Sequence, residues 1–536
     1  MIVERVLYNG DIITLDDQRP RASALAINQG RVIVVGTDDE IKSLARSKTT
    51  QENLNKSVVV PGMTDAHIHW QGVAQALHTV DLFDVPSKNE ALERVAARTG
   101  QTPSGQWIEG YGWTQDAWAD RQFPSAHDLD LITPDHPVFL RARSGHAAWV
   151  NTLALRLCGI DAHTHSPEGG EIIHDQAGQP TGILLESPAM NLVAERIPPL
   201  TVDQIADQMQ RAQTVALSLG MTGFHDFDDQ ECFSALQRLR ERGELRLRVV
   251  KNINKPYFDS MIQMGIRWGF GDDWIRIGGL KLFADGALGP RTAYMIEPYD
   301  GEPDNYGIVV TDKEEMAELV SRASAAGLHS TVHAIGDRAV HYVLDVYATV
   351  RREEAARGEP SSTRRHRIEH VQLIHPDDVQ RLAELDLIAS MQPIHATSDF
   401  ERADLYWGSR TPYSYNPRLQ LERGAVVAFG SDAPYDMMGP LKGIHAAVTR
   451  QRADGSPGTE GWNPSARLTV DEALRGFTFA PAFAAGMEDR LGKLMPGHLA
   501  DLVVLDRDLY AVPPSELLDV RVLATMVGGV WQYGGL

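Results

Sequence analysis

The sequence of 536 residues lacks several features that mark common classes of protein. Its two cysteines, Cys158 and Cys232, cannot build a disulfide framework or a thiolate zinc site. It has no run of about 18 apolar residues, so we expect no membrane span, and its first residues lack the pattern of a signal peptide. Basic residues are in deficit, because 51 Lys and Arg face 72 Asp and Glu. The resulting net charge of −21 disfavours binding to nucleic acid phosphates.

The composition that remains is that of an ordinary globular protein, with 43% hydrophobic and 23% charged residues. The length predicts two to four structural units, at roughly 100–200 residues for each. We expect a cytoplasmic protein that contacts neither membranes nor nucleic acids. Its 19 histidines are the feature that this composition leaves unexplained.

Both ends of the chain are rich in short β-type segments separated by turns. Asn-Gly and Gln-Gly separate such segments near the amino end, and residues 501–533 repeat the pattern. Neither end is long enough to form a comfortable β-domain alone. We therefore predict that residues 1–60 and 491–536 pair into one small β-sandwich.

The region between the ends alternates apolar, β-branched runs with helical stretches. Such an alternation indicates a parallel sheet covered on both faces. Eight runs favour an α/β fold with a TIM-like (β/α)8 barrel over residues 61–490, and a doubly wound open sheet is the alternative. A Trp- and Gly-rich stretch at about 71–200 predicts an insertion after the first barrel strand. The eight runs span residues 58–60, 221–227, 247–253, 275–283, 328–332, 366–371, 387–391 and 425–429.

The strongest local motif is His67-Ile-His69, which follows an apolar run and a Pro-Gly pair. In a strand, residues two apart point to the same side, so both imidazoles can bind one metal ion. A similar motif with His163 and His165 leads into a Pro- and Gly-rich stretch with no buried strand before it. We expect this second pair to lie in a surface loop.

Four further residues stand at the carboxyl ends of strand candidates, namely Lys281, His333, His370 and Asp432. Each alone is compatible with a structural role, as a surface lysine, a core histidine or a helix cap. The carboxyl ends of barrel strands meet at one face, so together these residues predict a single site.

Several longer phrases of the sequence resemble the amidohydrolase superfamily, and most closely its YtcJ-like branch, which includes N-substituted formamide deformylases. The resemblance covers essentially the whole chain, including the insertion. One departure is Trp70, which follows the second histidine where smaller residues are usual. The phrases are DAHIH (65–69), SGHAAWVN (144–151), GQPTGILLE (178–186), KLFADGALG (281–289), VHAIGDRA (332–339), RIEH (367–370), SMQP (390–393), GSDAP (430–434) and GHLADLVVL (497–505).

The resemblance implies a metal centre. His67, His69, His333 and His370 would be metal ligands, and Asp432 would be both a metal neighbour and the catalytic base. Lys281 matches the place where many superfamily members carry a carboxylated lysine that bridges two metals. The implied cofactor is a divalent metal, with zinc favoured, as one ion or as two if Lys281 is carboxylated.

The implied activity is hydrolysis of a non-peptide C–N bond by metal-activated water, in a linear amide or an N-substituted formamide. His395 is either an oxyanion partner or a structural loop histidine. A deaminase or cyclic-amide hydrolase on the same fold is an alternative, because the scaffold does not choose the substrate. A non-catalytic scaffold protein is an alternative of another class, which the presence of the whole ligand set disfavours.

Residues for a small-molecule substrate are suggested by position. Arg291 could hold an anionic group of the substrate. Separately, an exposed terminal β-unit favours a homodimer. Trp113 and Trp118 could line an apolar wall or simply pack the insertion. The expected substrate-binding residues are Trp70, Trp113, His146, Glu186, His225, Asp285 and Arg291.

Overall fold

The computed structural model describes residues 2–83, 85–115, 118–142 and 146–535. The chain forms two compact units, of which the first comprises Met1–Gln71 with Met209–Leu536 and the second Gly72–Gln208. No helix within the described residues combines the length and apolar character needed to cross a membrane.

The first unit begins with short strands and one helix. Thr37 caps that helix, and Glu40 bonds back to the Thr37 backbone. Such a capping box satisfies two backbone donors at the helix start. The elements are β1 (Arg5–Tyr8), β2 (Asp11–Ile13), β3 (Arg21–Ala22), β4 (Ala24–Asn28), β5 (Arg31–Gly36), α1 (Asp38–Lys42), β6 (Thr50–Asn53), β7 (Val58–Pro61), β8 (Met63–Ile68) and α2 (Trp70–Ala76).

The second unit contains a mixed sheet with short helices. Trp113, Trp118 and Trp149 pack together in its core. Its sheet has the strand order β13-β14-β12-β11-β10-β9, formed by β9 (Val80–Asp81), α3 (Lys88–Thr99), β10 (Ile108–Trp113), α4 (Ala126–Asp130), β11 (Val138–Ala142), β12 (Ala147–Val150), α5 (Thr152–Leu157), β13 (Glu171–His174), β14 (Pro180–Leu185) and α6 (Glu186–Ala194).

The rest of the first unit alternates strands and helices and then returns to strands. Helix α7 (Val202–Ser218) precedes this alternation. The elements are β15 (Met221–Asp226), α8 (Gln230–Glu241), β16 (Arg248–Asn254), α9 (Phe258–Gln263), β17 (Ile275–Phe283), α10 (Lys313–Ala325), β18 (Ser330–Ala334), α11 (Asp337–Ala356), β19 (Arg367–His370), α12 (Arg381–Glu384), β20 (Ile388–Met391), α13 (Pro393–Trp407), α14 (Pro417–Glu422), β21 (Val426–Phe429), α15 (Pro440–Thr449), α16 (Val470–Phe477), α17 (Phe479–Ala485), β22 (Leu502–Leu505), β23 (Val522–Val527) and β24 (Val530–Tyr533).

Strands β8 and β15–β21 form one parallel sheet of eight strands in chain order. The first and last strands approach each other at their ends, where the Asp432 N–H donates to the His67 carbonyl at 2.7 Å. The His69 N–H donates to the Ala433 carbonyl at 2.9 Å. The prediction of a (β/α)8 barrel is therefore confirmed, and the open doubly wound alternative is wrong.

The first barrel strand differs from the predicted run. Residues Val58–Pro61 form β7, which pairs with β2 and with the carboxyl-terminal strand β22. The barrel strand β8 begins after Gly62, where an added Cβ would lie 2.4 Å from Thr222 Oγ1. The chain therefore passes from one sheet to the other at a glycine that no larger residue could replace without displacing Thr222.

The two chain ends meet in neighbouring sheets. One sheet has the order β5-β4-β1-β6 and the other β24-β23-β22-β7-β2-β3. Apolar residues from both ends share one buried cluster, in which Leu25 and Val59 join Val504 and Met526. Strands from the amino and carboxyl ends thus stabilise each other through a common sheet and a common core.

Candidate metal centre

The residues expected at the site lie at the carboxyl end of the barrel. His67 is in β8 with His69 directly after it, His333 is in β18, and His370 ends β19. The His67 ring centre lies 5.8 Å from that of His69 and 4.8 Å from that of His370. The His333 and His370 ring centres are 4.6 Å apart. Four imidazoles therefore form one cluster.

Asp432 completes this cluster from the loop after β21. Its carboxylate oxygens lie 3.4 Å from His67 Nε2, 3.4 Å from His69 Nε2 and 3.6 Å from His395 Nε2. Burial alone would raise the pKa of Asp432, but the surrounding histidines hold it well below the usual range. The carboxylate is therefore ionised across the neutral pH range.

The backbone is unusual at two of these residues. The φ angles of His370 and Asp432 are 77° and 59°, in the left-handed region that favours glycine. Asp65 helps to hold this loop, since its Oδ1 accepts from the Ser431 N–H at 3.0 Å. Such conformations persist where the surrounding structure fixes them, and they concentrate at functional sites.

His67 is oriented by a buried carboxylate. Its Nδ1 bonds Glu369 Oε2 at 2.6 Å, while its buried Nε2 has no hydrogen-bond partner within the described residues. Burial would raise the pKa of Glu369, but Arg367 and His67 hold it well below its ordinary value. Burial lowers the pKa of His67 to about 4, so its ring is neutral. A neutral imidazole with one nitrogen backed by a carboxylate is the form in which histidine binds metals.

His69 is held in the same way by Asp228. The Nδ1 atom bonds Asp228 Oδ1 at 2.9 Å. Burial opposes a charge on this ring, but Asp228 and Asp432 together raise its pKa to about 9. Two carboxylates thus face His69, and they favour positive charge at this position.

His370 and His333 are backed by neutral acceptors. The Nδ1 of His370 donates to Gln392 Oε1 at 2.8 Å, and the Nε2 of His333 donates to the Gly286 carbonyl at 2.9 Å. Burial lowers the pKa of His333 to about 3 and that of His370 well below its ordinary value. These two bonds use Nδ1 of His370 and Nε2 of His333, so the other nitrogen of each ring is not engaged by them.

Lys281 in β17 is buried without a carboxylate at ion-pair distance among the described residues. Its Nζ lies over the rings of Phe227 and Phe283, at 4.7 and 4.6 Å from their centres. Burial lowers the pKa of Lys281 to about 8. At neutral pH a larger fraction of Lys281 is therefore the neutral amine than at an exposed lysine.

This donor set fits a divalent metal. Ligand atoms of His67, His370 and Asp432 lie within 4.8 Å of one another, and the set offers imidazole nitrogen and carboxylate oxygen. Zinc and related ions accept both donor types. A second cluster, Asp226, Asp228 and Cys232, has its own cation, because the Lys251 ammonium lies 2.7 Å from Asp226 Oδ2.

The comparison with known sequences agrees with this geometry. The Amidohydro_3 model, described as "Amidohydrolase family", matches residues 52–533. The chain belongs to the amidohydrolase family. The family expected from the sequence motifs is therefore confirmed.

Three relatives match nearly the whole chain. Protein LONG AFTER FAR-RED 3 of Arabidopsis thaliana is 32% identical, over 99% of this chain and 92% of its own length. Putative amidohydrolase YtcJ of Bacillus subtilis is 30% identical, over 99% of each chain. An N-substituted formamide deformylase of Arthrobacter pascens is 30% identical, over 98% of each chain.

A solved structure is similar in fold. The uncharacterized metal-dependent hydrolase of Pyrococcus furiosus is 30% identical, with a TM-score of 0.77. The match covers 94% of this chain and 99% of that one. The barrel architecture is therefore shared with a metal-dependent hydrolase.

Other residues expected at the amidohydrolase site have structural contacts. Trp70 is fully buried and stacks on Phe224 at 4.5 Å, so its ring packs against barrel strand β15. Asp285 is buried and accepts from the backbone N–H groups of Tyr294, Ile335 and Gly336. These bonds tie together the loops that follow β17 and β18.

Two further candidates are engaged with charged neighbours. His225 is buried, and its Nδ1 lies 2.8 Å from Arg367 Nη1. Arg291 is ion-paired with Glu302, and its guanidinium lies over the ring of Tyr406. These contacts give His225 and Arg291 protein partners, and they do not indicate that either side chain binds a substrate.

The second unit carries the remaining substrate candidates. Trp113 is fully buried and donates its indole N–H to the Leu140 carbonyl at 2.8 Å, which is the packing role. His146 and Glu186 are exposed and bonded to each other at 2.9 Å. Their neighbours Ser144 and Gly145, from the same family-like phrase, lie outside the described residues. His163 and His165 lie in an exposed loop, as expected.

His395 lies beside Asp432 in helix α13. The amide nitrogen of Gln372 approaches His395 Nδ1 at 3.2 Å, which leaves the Nε2 proton facing Asp432. Sequence reasoning missed Glu369, Asp228 and Gln392, which orient three of the histidines. Glu369 and Asp228 could have been found by listing every carboxylate near the carboxyl end of a predicted barrel strand.

Proposed function

We propose that the protein is a metal-dependent hydrolase that cleaves a non-peptide C–N bond, in a linear amide or an N-substituted formamide. The observation that carries this proposal is the arrangement of the histidine cluster. Each imidazole has one nitrogen held by an acceptor. Within the part of the chain that the structure describes, the buried Nε2 of His67 has no hydrogen-bond partner, and the Asp432 carboxylate lies 3.4 Å away. Membership of the amidohydrolase family supports the reaction class.

His67, His69, His333 and His370 would hold a divalent metal, which we propose to be zinc because imidazole and carboxylate form the donor set. Lys281 would bridge a second ion if it is carboxylated, and its low pKa supports that modification. When bound, the metal lowers the pKa of a water molecule towards about 7 and polarises the substrate carbonyl.

Asp432 is proposed as the general base. Its ionised carboxylate accepts a proton from the attacking water and then gives that proton to the leaving nitrogen. His395 would donate from Nε2 to the substrate oxygen, since this proton lies on the same side as the Asp432 carboxylate. The exposed pair of His146 and Glu186 stays a proposed substrate contact.

The substrate class rests on one named relative. The deformylase of Arthrobacter pascens acts on N-substituted formamides, and the match to it spans 98% of this chain. The decisive experiment measures zinc content and hydrolysis for a panel of N-formyl amines, acyl amides, hydantoins and aminopurines. We expect chelation to abolish turnover and zinc to restore it, with formamides or linear amides hydrolysed fastest.

Two results would contradict this proposal. Turnover that survives complete removal of metal would exclude the metal-dependent reaction. Preferential turnover of hydantoins or aminopurines would replace the proposed substrate class by cyclic-amide hydrolysis or deamination.

A further inference from the structure

We propose that Lys251 is a positioning residue of the metal centre, which fixes the imidazole of His69 through Asp226 and Asp228. This inference rests on the proposed function only in that the centre binds a metal. Among the described residues, the Lys251 side chain bonds Asp226 and the Asp228 backbone and none of the histidines or groups assigned to the reaction.

Lys251 is a buried cation in the third barrel strand, β16, with 2% of its surface exposed. Its Nζ lies 2.7 Å from Asp226 Oδ2 and also donates to the backbone carbonyl of Asp228. An unpaired ammonium in this position would cost several kcal/mol, so the pair with Asp226 keeps the charge in place.

The two contacts of Lys251 lead to the segment that carries His69. Asp226 Oδ1 accepts from the Trp70 N–H at 3.0 Å. Asp228 Oδ1 bonds His69 Nδ1 at 2.9 Å, and its Oδ2 accepts from the Gln71 N–H at 2.6 Å. The Lys251 ammonium therefore holds the Asp226 carboxylate and the backbone of Asp228. The carboxylates of these two residues in turn hold three consecutive residues.

The other histidine of the motif has a comparable support. Arg367 donates to Glu369 Oε2 at 3.0 Å, and the same oxygen bonds His67 Nδ1. Each of these two imidazoles is thus backed by an acidic residue that a buried cation contacts, at the carboxylate for Glu369 and at the backbone carbonyl for Asp228. His333 and His370 are backed by neutral acceptors instead. Orientation by an outer group fixes which ring nitrogen is available to a metal.

The same strand offers a matched control at its other end. Arg248 is the first residue of β16, and its buried guanidinium bonds Asp501 at 2.5 and 2.8 Å. This pair is also buried, although slightly less than the Lys251 pair, and it joins the barrel to the residue that precedes β22. The bonds of Arg248 to described residues go to Asp501 and to the Asp273 carbonyl, and none goes to the histidine cluster.

The experiment compares Lys251→Met with Arg248→Met in the full chain. Zinc affinity is measured by competition with a chelator, Co²⁺ absorption reports the coordination geometry, and denaturant unfolding is measured without metal. We expect both variants to lose stability. Only Lys251→Met should weaken zinc binding, by about 10–100-fold, and alter the Co²⁺ spectrum. Lys251→Arg should restore most of the affinity.

A double variant keeps the test decisive if Lys251→Met does not fold. Lys251→Met with Asp226→Asn removes the unpaired buried charge and should fold, but it should still bind zinc more weakly than the wild type. Wild-type zinc affinity in a folded Lys251 variant, or equal weakening in Arg248→Met, would overturn the positioning role. Absence of zinc binding by the wild type would instead overturn the proposed function.

Discussion

Each end of the barrel contains a buried pair of a histidine and a glutamate, and the two pairs have different roles. At the amino end, His366 Nε2 bonds Glu354 Oε1 at 3.0 Å and its Nδ1 bonds Ser330 Oγ at 2.8 Å. At the carboxyl end, His67 Nδ1 bonds Glu369, but its Nε2 has no hydrogen-bond partner among the described residues and faces Asp432. The second nitrogen distinguishes a structural histidine from a candidate ligand.

The surroundings of the two pairs also differ in how completely their polar groups are hydrogen-bonded. Glu354 also accepts from Ser324 and Arg351, so every group of the amino-end pair is satisfied. The carboxyl end gathers positive φ angles, a carboxylate among imidazoles and a lysine that has no carboxylate at ion-pair distance in the described part of the chain. A satisfied network stabilises the barrel, whereas an unsatisfied one is what a metal ion would complete.

The largest expected effect comes from Asp432→Asn. The amide keeps the shape of the side chain but cannot accept the proton from water, so kcat should fall by about 10²–10⁴-fold. Steady-state kinetics together with zinc content test this expectation. Retention of wild-type kcat in a zinc-loaded variant would remove Asp432 from the role of base.

Glu369→Gln tests the outer support of His67. Loss of the carboxylate should weaken zinc binding by about 10–100-fold, because the imidazole is then less firmly oriented and less basic. Glu354→Gln is the matched control at the other end of the barrel and should change zinc affinity by less than about threefold. Chelator competition measures both affinities, and equal effects of the two changes would erase the distinction between the ends.

Glu354→Gln should instead lower the free energy of unfolding, by about 1 kcal/mol at neutral pH. A hydrogen bond to a charged group contributes about 1.5–3 kcal/mol and a neutral one about 0.5–1.5 kcal/mol. Burial alone would raise the pKa of Glu354, but His366, Ser324 and Arg351 lower it from 4.5 to about 2. Denaturant unfolding at several pH values measures the difference.

The sign of the pH dependence follows from that pKa. A carboxylate with a lowered folded-state pKa contributes stability that is present above about 4.5 and is lost as the pH falls towards 2. The gap between the wild type and Glu354→Gln should therefore shrink over this range. A gap that stays constant down to pH 2 would show that the charge of Glu354 contributes nothing.

The smallest effect is expected for the second His-x-His motif. His163→Asn with His165→Asn changes two exposed loop residues, so zinc affinity and kcat should stay within twofold of the wild type. A loss of bound zinc would mean that this loop, and not only the barrel, holds metal.

The sequence predicted the barrel because each strand is an apolar run followed by a helix. It could not separate β7 from β8, since a buried strand of either sheet has the same composition. The positions of His333 and His370 followed from the carboxyl-end rule. The supports of His67 and His69 did not, because several carboxylates lie near the strand ends and the sequence does not show that Glu369 contacts His67 and Asp228 contacts His69.

The direction in which each side chain points could not be predicted from the sequence either. Trp70 stands beside His69 in the chain, yet its ring turns away to stack on Phe224. Arg291 lies in a loop near the site but pairs with Glu302. Position along a strand predicts which end of the barrel a residue reaches, whereas packing decides what its side chain contacts.

Anomalous diffraction from crystals of the zinc-loaded protein tests the central claim most directly. We expect an anomalous peak within the cluster formed by the four proposed histidine ligands and Asp432, at roughly 2.0–2.2 Å from the ligand nitrogen and oxygen atoms. A zinc-loaded, active protein with no peak at these residues, and with zinc bound elsewhere, would contradict the assignment of the carboxyl end as the metal centre.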